Sequence, residues 1–278
     1  MSFGNWEKHS VAICGCGAMG GALLKGLICA GFDLRALIVI DPSPPESIRQ
    51  IIDNNALEYY QLIDSVPKEI CPEVIIFAIK PQIIADFMRS NLDFIRKCGV
   101  VCSLVAGKDF KFFASLLGED YPVVRAMPNL AVGVQRGVSA LIANAIARES
   151  KHYARCHDVL SCVSKTVDLK SEEDIDAVTA LSGSGPAYVF FLVEMLIEAA
   201  ISEGLSPSVA DTLARTMVDG AAGLMLESSC SVRELRQQVT STGGTTEAAI
   251  NVLKAEGFKS LVGQAVKQAT QRSRELRQ

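Results

Sequence analysis

The run Val11-Ala-Ile-Cys-Gly15-Cys-Gly17-Ala-Met-Gly20 constrains the fold more than any other stretch. An apolar, partly β-branched segment leads into G-x-G-x-x-G and then into an apolar helical pattern ending near Gly31. A strand, three glycines at this spacing and a helix open a Rossmann-type βαβ unit. Gly15 permits the tight turn, Gly17 lets the main chain approach a pyrophosphate, and Gly20 lets the helix pack on the sheet, with the anion at the helix N-terminus. Gly15, Cys16, Gly17, Ala18, Met19 and Gly20 are therefore candidates for dinucleotide contact. The next strand pattern ends at Asp41, roughly 20 residues further on, where an acid can bond the ribose 2′-hydroxyl of NAD and would repel a 2′-phosphate. Against that, Ser43 and Ser47 are potential phosphate donors and Arg49 could reach in. The cofactor expected is NADPH, with NADH as the alternative, and Asp41 as a plain turn residue before Pro42 stays open.

The pattern around the loop extends it into a domain. Apolar runs at Leu37–Ile40, Val74–Ile79, Val100–Val105, Val123–Ala126 and Val138–Ile142 alternate with helical patterns up to about Lys170. Runs this continuous belong to strands covered on both faces, as parallel sheets require. Ala78-Ile79-Lys80-Pro81 and Ala106-Gly107 end two of these runs at the sheet edge where ligands of such folds bind, so these residues join the cofactor candidates. After about Glu172 the period changes and helical segments follow at Glu172–Ala180, Pro186–Glu203, Ser208–Glu227, Ser231–Val239, Thr246–Glu256 and Phe258–Arg274. The expected architecture is α/β, with a Rossmann-type parallel sheet over residues 1–170 and an all-helical domain over 171–278. The segment from Ala187 to Ile201 is apolar nearly all round, is shorter than the roughly 20 residues of a bilayer span, and contains Glu194 and Glu198. It reads as a buried helix packed inside an oligomer.

Composition removes other classes. A net charge of −4 with no basic stripe argues against nucleic acid as a partner. The amino terminus, Met1 to His9, lacks the order of a secretory signal, so a cytoplasmic protein with no membrane partner is expected. The nine cysteines form no C-x-x-C pair and read as small buried hydrophobes, and His152 and His157 are not on one helix face. No metal site is expected.

Two small-residue stretches in the helical half ask for a function. Leu181-Ser-Gly183-Ser-Gly185-Pro-Ala187 joins two helices, and Thr240-Ser-Thr-Gly243-Gly244-Thr245-Thr246-Glu247 precedes another. The second offers main-chain N–H groups at a helix N-terminus flanked by hydroxyls, a nest suited to a carboxylate. The competing reading is simple capping by Thr245 or Thr246.

At these residues the sequence resembles the pyrroline-5-carboxylate reductase family, which makes proline by reducing a cyclic imine with NAD(P)H. The likeness rests on Val239 to Ile250, on Ile175 to Ala187, on the glycine loop and on Ala78-Ile-Lys80-Pro81, in order along nearly the whole chain. It implies that Thr246 is the catalytic contact to the ring nitrogen, and that Ser241 with the Gly244 and Thr245 main chain holds the carboxylate. Glu172 and Gln238 stand where further substrate contacts fall. It also implies dimerisation through the helical domain, and often further assembly. Thr245 stands where some members have alanine and Thr242 where some have proline, so the loop's rigidity differs here. The chemistry agrees: a protonated imine is already electrophilic, so hydride transfer needs position and charge balance more than a nucleophile or a metal. Two rivals remain. The β-hydroxyacid dehydrogenases share the architecture but carry a lysine and an asparagine where this chain has Val189 and Val193, and a dinucleotide sensor would need no substrate nest.

Overall fold

The computed structural model describes residues 6–276, so residues 1–5 of the amino terminus read for an export signal lie outside the described part. Along the chain the elements are β1 (Val11–Cys14), α1 (Ala18–Cys29), β2 (Leu37–Ile40), α2 (Glu46–Asn54), β3 (Glu58–Tyr60), β4 (Val74–Phe77), α3 (Ile84–Ser90), α4 (Leu92–Ile95), β5 (Val100–Ser103), α5 (Phe110–Leu117) and β6 (Val123–Pro128). They continue with β7 (Gly137–Ala143), α6 (Ala145–Arg148), α7 (Lys151–Ser161), β8 (Ser164–Asp168), α8 (Asp174–Val178), a wide helical turn at Thr179–Gly183, α9 (Gly185–Ser202), α10 (Pro207–Glu227), α11 (Val232–Gln238), α12 (Thr245–Ala255) and α13 (Phe258–Glu275). Two compact units divide the chain. One runs up to Ser184 and includes the segment from Ala269 onward; the other is Gly185–Gln268.

The first unit is built on an eight-stranded sheet of order β3-β2-β1-β4-β5-β6-β7-β8. Its first six strands are parallel, and the register sets Cys14 beside Ile40 and Phe77, and Phe77 beside Ser103. Their carboxyl ends therefore share one edge. Successive residues point to opposite faces. Ile13, Val39 and Ile76 pack on one side with Leu23 and Leu27 of α1 and Val159 of α7, while Cys14, Ile40 and Phe77 pack on the other with Met88 of α3 and Phe113 of α5. Truncating a fully buried ring such as Phe77 or Phe113 in this core would cost about 3–5 kcal/mol.

The sheet departs from an all-parallel one at β7, which runs antiparallel to β6, with β8 parallel to β7. The connection 129–136 is the reason: it is shorter than the dozen or more residues a parallel crossover needs, so the chain turns back. Segment 171–184, whose helical period groups it with the carboxyl-terminal half, packs in the sheet unit, with Ile175 buried beside Met127 and Ile142.

In the second unit Ser206 is the N-cap of α10 and Pro207 its first residue, where a missing N–H costs nothing. Ser231 and Glu234 form a capping box on α11. Helix α9, expected to pack inside an oligomer, has no residue buried within the single chain. Phe190 and Phe191 are 68 % and 61 % exposed. The helical run Asp174–Ser202 is long and apolar enough, by length and composition alone, to cross a bilayer.

Candidate active site

Gly15 leaves β1 with φ +89, a conformation that L side chains rarely adopt, and its N–H donates to Ile40 O at 2.8 Å. The three glycines are under different constraints. A Cβ on Gly15 would stand 2.7 Å from Ile79 Cγ2 and 2.9 Å from Ala78 O, and one on Gly20 would stand 1.9 Å from Gly15 O. A Cβ on Gly17 would meet nothing within 4 Å. The first and third glycines are thus required by packing inside the protein, and the second leaves open space where a ligand can approach. That is the cradle a pyrophosphate fits.

Helix α1 begins beyond Gly17 with no side-chain cap and no acid in its first turn. The first described helical bond is Gly21 N–H to Gly17 O, and none is described for the N–H groups of Ala18, Met19 and Gly20. Unpaired donors at a helix N-terminus favour an anion. A groove of about 350 Å³ opens beside Gly17 and Ala18, with Lys25, Pro45 and Ser47 along its walls. Cys16, within the loop, is buried, and burial followed by the nearby Asp41 charge pushes its thiol up to about 12, so it is no nucleophile at neutral pH.

Asp41 is buried, and both carboxylate oxygens accept main-chain donors: Oδ2 from Cys16 N–H at 2.5 Å and Oδ1 from Ser43 N–H at 2.8 Å. Asp41 O accepts from the Tyr59 hydroxyl at 2.7 Å. Ser43 is exposed at the mouth of this turn. Ala78 follows β4, its N–H bonded to Cys14 O at 2.8 Å, with Ile79 half-buried, Lys80 exposed and Pro81 half-buried after it. Ala106 is half-buried, and Gly107, buried with φ +72, turns the chain after β5; a Cβ there would meet Leu276 O at 2.4 Å. The glycine loop and the residues following β2, β4 and β5 therefore gather at one sheet edge.

Glu172 belongs to the same unit but is engaged. Its Oε1 accepts from Arg125 Nη1 at 2.7 Å and from Phe110 N–H at 2.8 Å. Arg125 is 2 % exposed on β6, and the sequence reading missed it. The available signal was a guanidinium inside the apolar run Val123-Val-Arg-Ala-Met, where a buried charge demands a partner.

In the second unit, α12 starts at Thr245 with Gly244 as N-cap and no side-chain cap. Glu247 Oε2 reaches back to Gly243 N–H at 2.7 Å, and Gly244 N–H donates to Ser241 O at 3.1 Å. No bond is described for the N–H groups of Thr245, Thr246 and Glu247, so capping by either threonine is not what this turn does. A Cβ on Gly244 would stand 2.5 Å from Ser241 Oγ, so that hydroxyl lies against the glycine. Gln238 closes α11 and its amide faces Cys230 Sγ at 3.7 Å. Ser241, Gly244, Thr245 and Thr246 are thus one local arrangement, and Glu172 lies in the other unit.

Comparison with known proteins agrees with this anatomy. Residues 172–276 match the family model described as pyrroline-5-carboxylate reductase dimerisation, and residues 10–107 match one described as NADP oxidoreductase, coenzyme F420-dependent. The pyrroline-5-carboxylate reductases of Pseudomonas aeruginosa and Mycobacterium tuberculosis are 35 % and 34 % identical to this chain, each alignment covering 96 % of both partners. The solved structure of a pyrroline-5-carboxylate reductase from Coxiella burnetii superposes with a TM-score of 0.87 at 32 % identity, over 97 % of this chain and 98 % of that one. This chain therefore belongs to the pyrroline-5-carboxylate reductase family.

Proposed function

We propose that this chain reduces the cyclic imine pyrroline-5-carboxylate to proline at the expense of NADPH, the closing step of proline biosynthesis, and works as a homodimer or higher oligomer in the cytoplasm. The observation that carries the reading is the open start of α12, where, among the described residues, no acceptor is bonded to the N–H groups of Thr245, Thr246 and Glu247, in a turn that also carries the hydroxyl residues Ser241, Thr245 and Thr246. A carboxylate on a compact ring matches that donor set.

When bound, the dinucleotide supplies the hydride that saturates the C=N bond. The chain's own task is to hold and orient. The Ala18, Met19 and Gly20 N–H groups take the pyrophosphate charge beside Gly17, and Ala78 to Pro81 with Ala106 and Gly107 border the reactive end. Ser241 and the main chain of Gly244 and Thr245 hold the substrate carboxylate, Thr246 Oγ1 fixes the ring nitrogen, and Gln238 lies beside this loop. Glu172 acts through Arg125 and the start of α5 as a positioning residue. A neutral hydroxyl is a weak acid, so the proton on the product nitrogen arrives with the substrate as an iminium or comes from water.

The oligomer reading rests on α9 and α10. Phe190, Phe191 and Leu226 form exposed apolar surface that a second copy would cover, in the region matched by the dimerisation family. Imine-dependent oxidation of NADPH by the purified chain tests the function, and its absence in a chain that binds the dinucleotide overturns it.

A further inference from the structure

Beyond the carboxyl end of β2 stands a cluster that deepens the cofactor reading above and rests on it. Arg49 of α2 places its guanidinium carbon 4.3 Å from the centroid of the Tyr59 ring. Tyr59 lies on the edge strand β3, and its hydroxyl donates to Asp41 O at 2.7 Å, which ties the ring to the turn where β2 ends. A cation over a tyrosine face is held in place without being neutralised. Among the described ion pairs none includes Arg49.

The neighbouring acids do not take up that charge. Asp41 gives both oxygens to the N–H groups of Cys16 and Ser43, and Glu46 Oε1 accepts from Gln50 at 3.1 Å. Ser43 and Ser47 are exposed, and Ser47 lines the same groove as Gly17, so the hydroxyl side of α2 and the glycine loop border one space.

We propose that Arg49, held over the ring of Tyr59, reads the 2′-phosphate of NADPH, with the exposed Ser43 hydroxyl at the turn after β2 as a companion donor. Asp41 then shapes the glycine loop and does not read the ribose. A planar guanidinium whose position is set by an aromatic face is suited to a phosphate, to which it can donate two parallel bonds. Tyr59 is a positioning residue, because it acts through Arg49.

Calorimetric titration of the full chain with NADP+ and with NAD+ tests the assignment. Arg49→Gln is expected to weaken NADP+ about ten- to a hundred-fold, to leave NAD+ within about twofold, and to flatten the salt dependence of NADP+ binding. Tyr59→Leu reproduces part of that loss, and Tyr59→Phe, which keeps the ring, restores most of it. Asp41→Asn lowers both affinities together. Equal losses for the two dinucleotides in Arg49→Gln, no loss, or a loss confined to NAD+ in Asp41→Asn would each overturn the assignment, as would a wild-type chain with no preference for NADP+. Imine turnover is measured separately: a chain that binds NADP+ tightly and leaves the imine untouched sinks the proposed reaction while the role of Arg49 stands.

Discussion

The main-chain N–H of Cys16 donates to Asp41 Oδ2 at 2.5 Å, so the second residue of the glycine loop is fastened to the residue that follows the neighbouring strand. With Ser43 N–H on the other oxygen, one buried carboxylate holds two turns in register. Asp41→Ala leaves both donors without that acceptor and is expected to destabilise the fold by about 2–3 kcal/mol. Urea unfolding of the variant and the parent checks this, and an unchanged midpoint would mean that the loop holds its shape without the acid.

Gly17 and Gly20 should respond in opposite ways to the same added methyl group. Gly20→Ala sets a Cβ 1.9 Å from a main-chain oxygen that cannot move without breaking the turn, and a loss of about 3 kcal/mol or more in folding stability is expected. Gly17→Ala meets open space, so its thermal unfolding should match the parent's while dinucleotide affinity falls about tenfold. Parallel melting curves and dinucleotide titrations separate the two effects. A destabilised Gly17→Ala protein would contradict the assignment of that space to a ligand.

Buried Arg125 pairs with half-buried Glu172, 2.7 Å away, whose carboxylate also holds the first N–H of α5. Glu172→Ala strands a guanidinium with 3 % side-chain exposure, and the expected cost is about 3 kcal/mol by denaturant unfolding. On the positioning role proposed for Glu172, Glu172→Gln should impair turnover more than it changes the KM for the imine. The reverse pattern would make it a direct substrate contact.

Much of this was legible in the sequence, and the exceptions have identifiable causes. β1 and β2 stand where their apolar runs place them, because both faces of a central parallel strand need apolar residues at every position. β3 (Glu58–Tyr60) and β8 (Ser164–Asp168) gave no such signal, since each is an edge strand with no fully buried residue. The reversal of β7 depends on the length of the 129–136 connection and leaves no trace in hydropathy. Glycine spacing located the loop, yet only the packing of Ala78 and Ile79 separates the glycines that serve the fold from the one that leaves room for a ligand. The long-range partners, Cys16 with Asp41, Arg125 with Glu172 and Arg49 with Tyr59, are products of the sheet order and could not be read from spacing.

The buried thiols give the protein an alkaline limit. Burial pushes Cys16 and Cys98 from 9.0 up to about 12, with the charges of Asp41 and Cys71 adding respectively. In the unfolded chain these thiols lose protons near 9.0, while the native chain retains them to about 12. Their contribution to stability is whole below the lower value and is lost as pH rises toward the higher one. Denaturation midpoints should therefore fall across that window. At about pH 8, iodoacetamide should label exposed Cys29 and Cys71 well before Cys14, Cys16, Cys98, Cys102 or Cys156, as mapped by mass spectrometry. Early labelling of Cys16 would contradict its burial.

Thr246 carries the sharpest expectation for turnover. Thr246→Ala removes the hydroxyl and leaves the α12 N–H groups in place, so kcat should fall about a hundredfold while dinucleotide binding is unchanged. Thr246→Ser should recover most of the rate. Near-normal turnover in the alanine variant would remove Thr246 from the chemistry.

The initial rate of NADPH oxidation by the purified chain with pyrroline-5-carboxylate, set beside a 2-keto acid, decides whether the chain is an imine reductase. Oxidation is expected with the cyclic imine alone, with proline formed mole for mole. Tight dinucleotide binding with no oxidation in the presence of the imine would contradict the proposed reaction.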